Sequence, residues 1–135
     1  MVYLICGSPC SGKSTYIEEH KTRADLVCDV DYLYSAITGN NPHDAELYTH
    51  AVACELRAHL LDIIRDRRGG WKDAYVTSLA NTQEKVDEMK ERINADEVII
   101  LDTSYEVCME RAKDRPPYFV WIIQDWYATK GEIHG

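Results

Sequence analysis

The residues Gly7-Ser8-Pro9-Cys10-Ser11-Gly12-Lys13-Ser14 set two glycines five positions apart and follow the second at once with a lysine and a hydroxyl. This is the pattern G-x-x-x-x-G-K-[ST] of a loop that wraps phosphate, the P-loop. Gly7 and Gly12 admit backbone conformations that a side chain forbids, so successive N–H groups can turn inward onto phosphate oxygens. A helix opening near Gly12 adds its unpaired N–H groups and the positive end of its dipole. Lys13 is placed to reach the terminal phosphates and Ser14 to give its hydroxyl to Mg²⁺.

Such a loop works only between a strand and a helix, and the flanking residues supply both. Val2-Tyr3-Leu4-Ile5-Cys6 is an apolar run of strand length, and Ser14-Thr15-Tyr16-Ile17-Glu18-Glu19 suits a helix. An ordinary glycine turn beside an exposed lysine would not need that order.

Carboxylates come next. Ala24-Asp25-Leu26-Val27-Cys28-Asp29-Val30-Asp31 reads as a second strand ending in two acids separated by one residue, which would face the same side. A short helix over Tyr32–Ile37 follows, closed by Thr38-Gly39-Asn40-Asn41. Ligands of open parallel sheets bind beyond the carboxyl ends of strands, so Asp29 and Asp31 fall near the phosphate loop. The plainer account has Asp31 capping the helix.

Asn41-Pro42 suits the start of a long helix with Leu47, Ala51, Cys54, Ala58 and Leu61 as its apolar stripe, ending at Arg65-Asp66-Arg67-Arg68-Gly69-Gly70. Cations before glycine are ordinary helix termination, with a substrate-phosphate role for Arg67 or Arg68 as the sharper alternative. His43, His50 and His59 have no metal-ligand spacing.

Ala74–Ser78 is a third strand, and Asn81 with Glu84 forms a capping box for a helix whose buried face is Val86, Met89 and Ile93. Glu97-Val98-Ile99-Ile100-Leu101-Asp102 is a fourth strand that loosely fits a Walker B pattern, making Asp102 a secondary metal candidate. Thr103 and Glu106 form a second capping box for a helix that stops before Pro116-Pro117. Arg111 and Arg115 stand four apart, on one helical face, where both guanidiniums could swing over bound phosphates; cations at a helix end are the bland reading. In the segment Tyr118–Tyr127, Phe119, Ile122, Ile123 and Trp126 keep helical spacing, which predicts a final helix.

The chain has 135 residues, the size of one domain, so 1–135 is expected to be a single unit with little room for a separate substrate domain. Its 15 basic and 23 acidic side chains give a net charge of −8, which disfavours nonspecific binding to a polyanion. The five cysteines are odd in number and lack C-x-x-C or finger spacing, as expected of reduced thiols in a cytoplasmic protein. Cys10 is the exception to consider, because a thiol at a helix N-terminus can become reactive. The N-terminus enters a strand without a charged leader, so no signal peptide is expected, and no segment approaches a membrane span.

Four landmarks together resemble the P-loop kinases of the small-molecule and polynucleotide type: Gly7 through Thr15; Asp29-Val30-Asp31-Tyr32; Leu101-Asp102-Thr103; and Glu106 through Arg115. The chain is similar to the kinase domain of bacteriophage 5′-hydroxyl polynucleotide kinases and to small phage or bacterial AAA-family ATPases. The resemblance implies an α/β P-loop NTPase fold of nucleoside- or polynucleotide-kinase type. Its three layers would hold a short parallel sheet of order 2-3-1-4 with helices on both faces. It implies ATP, or another NTP, with Mg²⁺, the phosphates and ion being held by Gly7, Ser8, Pro9, Cys10, Ser11, Gly12, Lys13, Ser14 and Thr15. Ser14 would be the magnesium ligand and Asp29 an additional candidate. Asp31 would be the general base toward an acceptor hydroxyl, with Asp29 in reserve, and Arg115 and then Arg111 would be lid arginines at the transferring phosphate. Two positions depart from the family: Leu33 stands where an arginine for the acceptor phosphate is usual, and the third strand ends in Thr77-Ser78 rather than an acid. The acceptor therefore stays open among a nucleic-acid 5′-hydroxyl end, a nucleoside or nucleotide, and another small hydroxyl compound. A nucleotide-binding regulatory or adaptor protein with slow ATP hydrolysis is the alternative.

Overall fold

A computed structural model of the protein describes residues 1–134. Four strands, β1 (Val2–Cys6), β2 (Leu26–Cys28), β3 (Ala74–Ser78) and β4 (Glu97–Ile100), form one sheet of order β2-β3-β1-β4. Every pairing is parallel, with Leu4 opposite Val76 and Val98, and Val27 opposite Tyr75. The sheet order is the expected one, and the fold is that of a P-loop NTPase.

Side-chain alternation along the strands assigns the layers. Val2, Leu4, Cys6, Ala74 and Val76 point to one face, where Leu61 and Ile64 of α3 (Leu47–Arg65) and Val86 and Ile93 of α4 (Gln83–Ile93) bury them. Tyr3, Ile5, Val27, Tyr75 and Ile99 point to the other and pack on Ile17 of α1 (Lys13–His20). Helices α2 (Val30–Thr38), α5 (Tyr105–Arg111) and α6 (Tyr118–Thr129) complete the order, with a 3₁₀ turn at Ala112–Asp114 after α5. The final helix is present as its spacing predicts.

Several boundaries differ from expectation, each because a side chain finds another partner. The second strand has only three residues: Asp29 ends it as the cap of α2, its carboxylate accepting the Asp31 N–H at 2.8 Å. Asp31 therefore sits in the first turn of a helix rather than beside Asp29 on a strand face, and Asp29 rather than Asp31 is the capping acid. Helix α3 starts at Leu47 behind Glu46, not at Asn41-Pro42, because the buried Tyr34 hydroxyl gathers the intervening loop. That hydroxyl donates to the Asp44 carbonyl and accepts from Asn40 Nδ2 and the Glu46 N–H.

The buried stripe of α3 consequently runs through Ala53, Leu61 and Ile64. Leu47 of the expected stripe is 76 % exposed. Thr82 caps α4 in place of Asn81, and Ser104 caps α5 in place of Thr103. Asn81 is buried and ties α6 to the end of β3, donating to the Trp126 carbonyl and to Thr129 Oγ1, each at 2.8 Å. Arg67 is a structural clamp: it donates to the carbonyls of Ile64, Ile93 and Asn94 and pairs with Asp96, joining the ends of α3 and α4. Among the described residues no helix is long and apolar enough to cross a membrane.

Candidate functional site

The phosphate-loop motif leaves the carboxyl end of β1 and enters α1, as its sequence requires. Gly7 is needed for space, since a Cβ there would stand 2.4 Å from Ser11 Oγ and 3.3 Å from Leu101 Cβ. Gly12 is needed for conformation, at φ 100°. Cys10 also lies at positive φ, 65°, an uncommon state for a side-chain-bearing residue and evidence of how tightly the loop is wound. Burial pushes the Cys10 thiol up, outweighing the nearby Arg115, Lys13 and Arg111, so the low-pKa reactive thiol considered from sequence is not formed.

Four of the loop's carbonyls are tied down by side chains. Lys13 Nζ donates to Gly7 O and Ser8 O at 2.8 Å, Thr103 Oγ1 donates to Ser11 O at 2.8 Å, and Arg111 Nη1 donates to Cys10 O at 3.0 Å. With its carbonyls so anchored, the loop can present N–H groups to the cleft. Gly12 offers no side-chain cap to α1, and the first amide bonded back to the helix start is that of Tyr16, to Gly12 O. The amides before it are the free donors of any helix start.

The loop opens into a cleft of about 1340 Å³ beyond the carboxyl ends of the strands. Pro9 through Thr15, Asp29, Asp31, Arg111 and Arg115 all line it, whereas Gly7 and Ser8, also singled out from sequence, do not. Asp102 does not line it; the residue is exposed beyond the end of β4. Arg67 and Arg68 lie elsewhere, the former in its clamp and the latter near Asp66.

Electrostatics separate the members of the cleft. Burial, with the neighbouring Asp29 carboxylate adding to it, pushes Asp31 up to about 6, against the pull of His50, Lys13 and Arg115. Asp29 is buried and spends one oxygen on its cap, whereas the Asp31 carboxylate has no hydrogen bond or ion pair among the described residues. Burial pulls Lys13 down to about 8, against the opposing charges of Asp29 and Asp31.

Arg111 and Arg115 are not on one helical face as their spacing suggested, because α5 ends at Arg111 and Arg115 follows the 3₁₀ turn in extended conformation. They reach the cleft by different routes. Arg111 holds the loop, while Arg115 has a buried Nε without a partner.

Ser14 is exposed at the first turn of α1, and with the Asp29 and Asp31 carboxylates it supplies hard oxygen donors to one cleft. Among the described residues no three His, Cys, Asp or Glu side chains are grouped to hold a metal by themselves. This donor set fits Mg²⁺, which binds through few protein oxygens and completes its shell with phosphate and water.

Sequence reasoning missed part of the lining. Arg57 of α3 and Lys85 and Arg92 of α4 line the same cleft, as do His43 and His50. Arg57 was hidden inside a helix read only for its apolar stripe, and Lys85 and Arg92 among charges taken as a solvated face. Their i, i+7 spacing on α4 was the available signal, since it puts both on one side of the helix.

Comparison with known families matches residues 2–118 to the model of a family described as an AAA domain, a span from the first residue of β1 to the first residue of α6. No curated protein matches the chain.

Proposed function

The chain belongs to this AAA-domain family, and on that premise we propose that it is an ATP-dependent phosphotransferase that moves the γ-phosphate to a hydroxyl acceptor. The observation that carries this reading is Asp31: a cleft-lining carboxylate without a partner among the described residues, raised to about 6, and close enough to Lys13 and Arg115 for both to oppose that rise. Transfer to a hydroxyl is served by a base poised a little below neutrality, and an acid without a partner in this cleft supports that role.

In this reading the loop amides, Lys13 and Ser14 bind the triphosphate, with Thr15 beside them. Mg²⁺ held by Ser14, with Asp29 as a further ligand, would neutralise phosphate charge when bound. Asp31 accepts the proton of the acceptor hydroxyl as the hydroxyl oxygen attacks the γ-phosphorus, and the bond to the β–γ bridging oxygen breaks with ADP as the leaving group. Arg115 stabilises the charge on the transferring group, and Arg111 keeps the loop in shape through the Cys10 carbonyl. A resemblance to phage polynucleotide kinases makes a nucleic-acid 5′-hydroxyl end one acceptor class, beside nucleosides, nucleotides and other small hydroxyl compounds.

The test is a screen for transfer of labelled γ-phosphate to DNA and RNA 5′-hydroxyl ends, nucleosides and nucleotides. Labelled product that requires Asp31 supports the kinase. Intact ATP binding with slow release of phosphate and no labelled acceptor supports a regulatory or adaptor ATPase instead.

A further inference from the structure

We propose that His43 is a positioning residue for phosphoryl transfer: its Nδ1 accepts the Nε–H of Arg115 once nucleotide fills the cleft, and so aims the terminal guanidinium nitrogens at the transferring phosphate. The inference rests on the kinase reading, which gives Arg115 its part in the reaction.

Two orphaned atoms carry it, Arg115 Nε and His43 Nδ1, both buried and both without a hydrogen-bond partner among the described residues. The first can only donate, since a guanidinium has no acceptor, and the second accepts in a neutral imidazole that carries its hydrogen on Nε2. Each orphan is the kind of partner that the other lacks. A buried donor and a buried acceptor left apart are costly, and a bond between them removes both penalties.

The two residues already share a place. His43 and Arg115 both line the large cleft, and with Asn41, Asp44, Asp114 and Pro116 they line a second cavity of about 360 Å³. Arg115 is near enough to His43 to press the imidazole toward its neutral form, as burial also does, against the pull of Asp29. That is the form whose Nδ1 accepts. Asp44 and Asp114 line the same cavity, yet neither carboxylate meets Arg115 Nε, which leaves that N–H to the imidazole.

The ring is held where the bond requires it. The backbone N–H of His43 donates to Asn41 Oδ1 at 2.9 Å, and the His43 carbonyl accepts from the Tyr118 hydroxyl at 2.8 Å. Phe119 packs edge-on against the imidazole, with ring centroids 5.6 Å apart at 84°. Tyr118 and Phe119 open α6 just beyond Pro116-Pro117, so the segment that carries Arg115 also grips His43. The terminal nitrogens of Arg115 differ from its Nε: neither is a buried orphan, and they face the open cleft. With Nε engaged, those two form the planar fork that suits two oxygens of a phosphoryl group.

The experiment compares His43→Phe, which keeps a ring against Phe119 but has no acceptor, with His43→Asn, whose Oδ1 can take the place of Nδ1. The Phe variant is expected to lower kcat for transfer about 10- to 100-fold, with KM for ATP and melting temperature little changed, and the Asn variant to recover most of the loss. In an Arg115→Ala background, His43→Phe is expected to cost nothing further, because the group it positions is gone. A full kcat in His43→Phe, or an equal loss in the Arg115→Ala background, overturns the inference while the kinase stands.

If the unaltered protein labels no acceptor, the kinase reading fails, and the contact is still decided by ¹⁵N NMR of the His43 ring in protein saturated with a non-hydrolysable ATP analogue and Mg²⁺. An Nδ1 resonance that moves in Arg115→Met toward that of an unbonded ring nitrogen supports the contact. An Nδ1 resonance unchanged by that substitution overturns it.

Discussion

The Asp29 carboxylate accepts the backbone N–H of Asp31 at 2.8 Å, and this contact separates the roles of two acids that the sequence presents as a pair. Asp29 is spent on starting α2. Asp31, one residue into that helix, is held by its backbone, with its carboxyl group free in the cleft.

Asp31 carries the strongest prediction. Its ordinary value is 3.8 and the fold raises it to about 6, so the folded state favours the protonated form. The associated stability is fully present below 3.8 and is lost as pH rises through about 6. At pH 8 Asp31→Asn is therefore expected to raise stability by about 1 kcal/mol after allowance for solvent screening. The same variant is expected to slow phosphoryl transfer by roughly 10²–10⁴. Thermal unfolding at pH 8 and at pH 4, together with transfer assays, checks both; a variant that is less stable at pH 8 would contradict the placement of the charge.

Lys13 sets the other limb of the pH dependence. Burial pulls it down to about 8, so the fraction able to meet phosphate as a cation falls above that pH. The profile of kcat/KM for ATP is expected to be bell-shaped, rising through about 6 as Asp31 ionises and falling through about 8 as Lys13 loses its proton. Lys13→Ala is expected to abolish measurable nucleotide binding by calorimetry. A flat profile between pH 5 and 9 would remove both groups from the mechanism.

The two loop glycines should differ in sensitivity. Gly7→Ala drives a Cβ to within 2.4 Å of Ser11 Oγ inside the loop, whereas a Cβ at Gly12 meets nothing closer than Arg111 Nη1 at 3.5 Å. Gly12→Ala is left with backbone strain alone, on the order of 1–2 kcal/mol. Nucleotide affinity is expected to be lost in Gly7→Ala and only weakened in Gly12→Ala; the reverse ranking would mean that conformation, not space, limits the loop.

Asn81 is expected to be a stability residue. Asn81→Ala removes one buried and one partly buried hydrogen bond to the end of α6 and should cost about 1–3 kcal/mol. Hydrogen exchange should rise first in residues 118–129, with nucleotide affinity retained. Uniform loss of protection would show instead that α6 does not open apart from the sheet.

Asp102 provides a negative control. It is exposed beyond β4 and does not line the cleft, so Asp102→Ala is expected to change neither the Mg²⁺ dependence of transfer nor nucleotide affinity by more than about twofold, the range of ordinary surface substitutions. A shift of the magnesium requirement to higher concentration would restore the Walker B reading.

By itself the sequence determined the phosphate loop and the four strands, its resemblance to P-loop kinases implied their parallel order, and acids and arginines beyond strand ends pointed Asp29, Asp31, Arg111 and Arg115 to one cleft. These features are written in short stretches: glycine spacing, apolar runs of strand length, and acids or arginines next to strand ends, where a parallel sheet gathers them at one edge. Tertiary structure alone decided which acid caps and which stays free, because that turns on where the chain leaves β2 for α2. It alone placed α3 behind the Tyr34 hydrogen-bond hub rather than at Pro42, and turned Arg67 from a candidate phosphate ligand into a clamp. It also brought Arg57, Lys85 and Arg92 into the cleft. Arg57 lies 20 residues from the Thr77 carbonyl it binds, and Arg92 lies 34 from the Ala58 carbonyl. A charge on a helix carries no mark of which face will turn inward until packing against the sheet fixes the rotation of that helix.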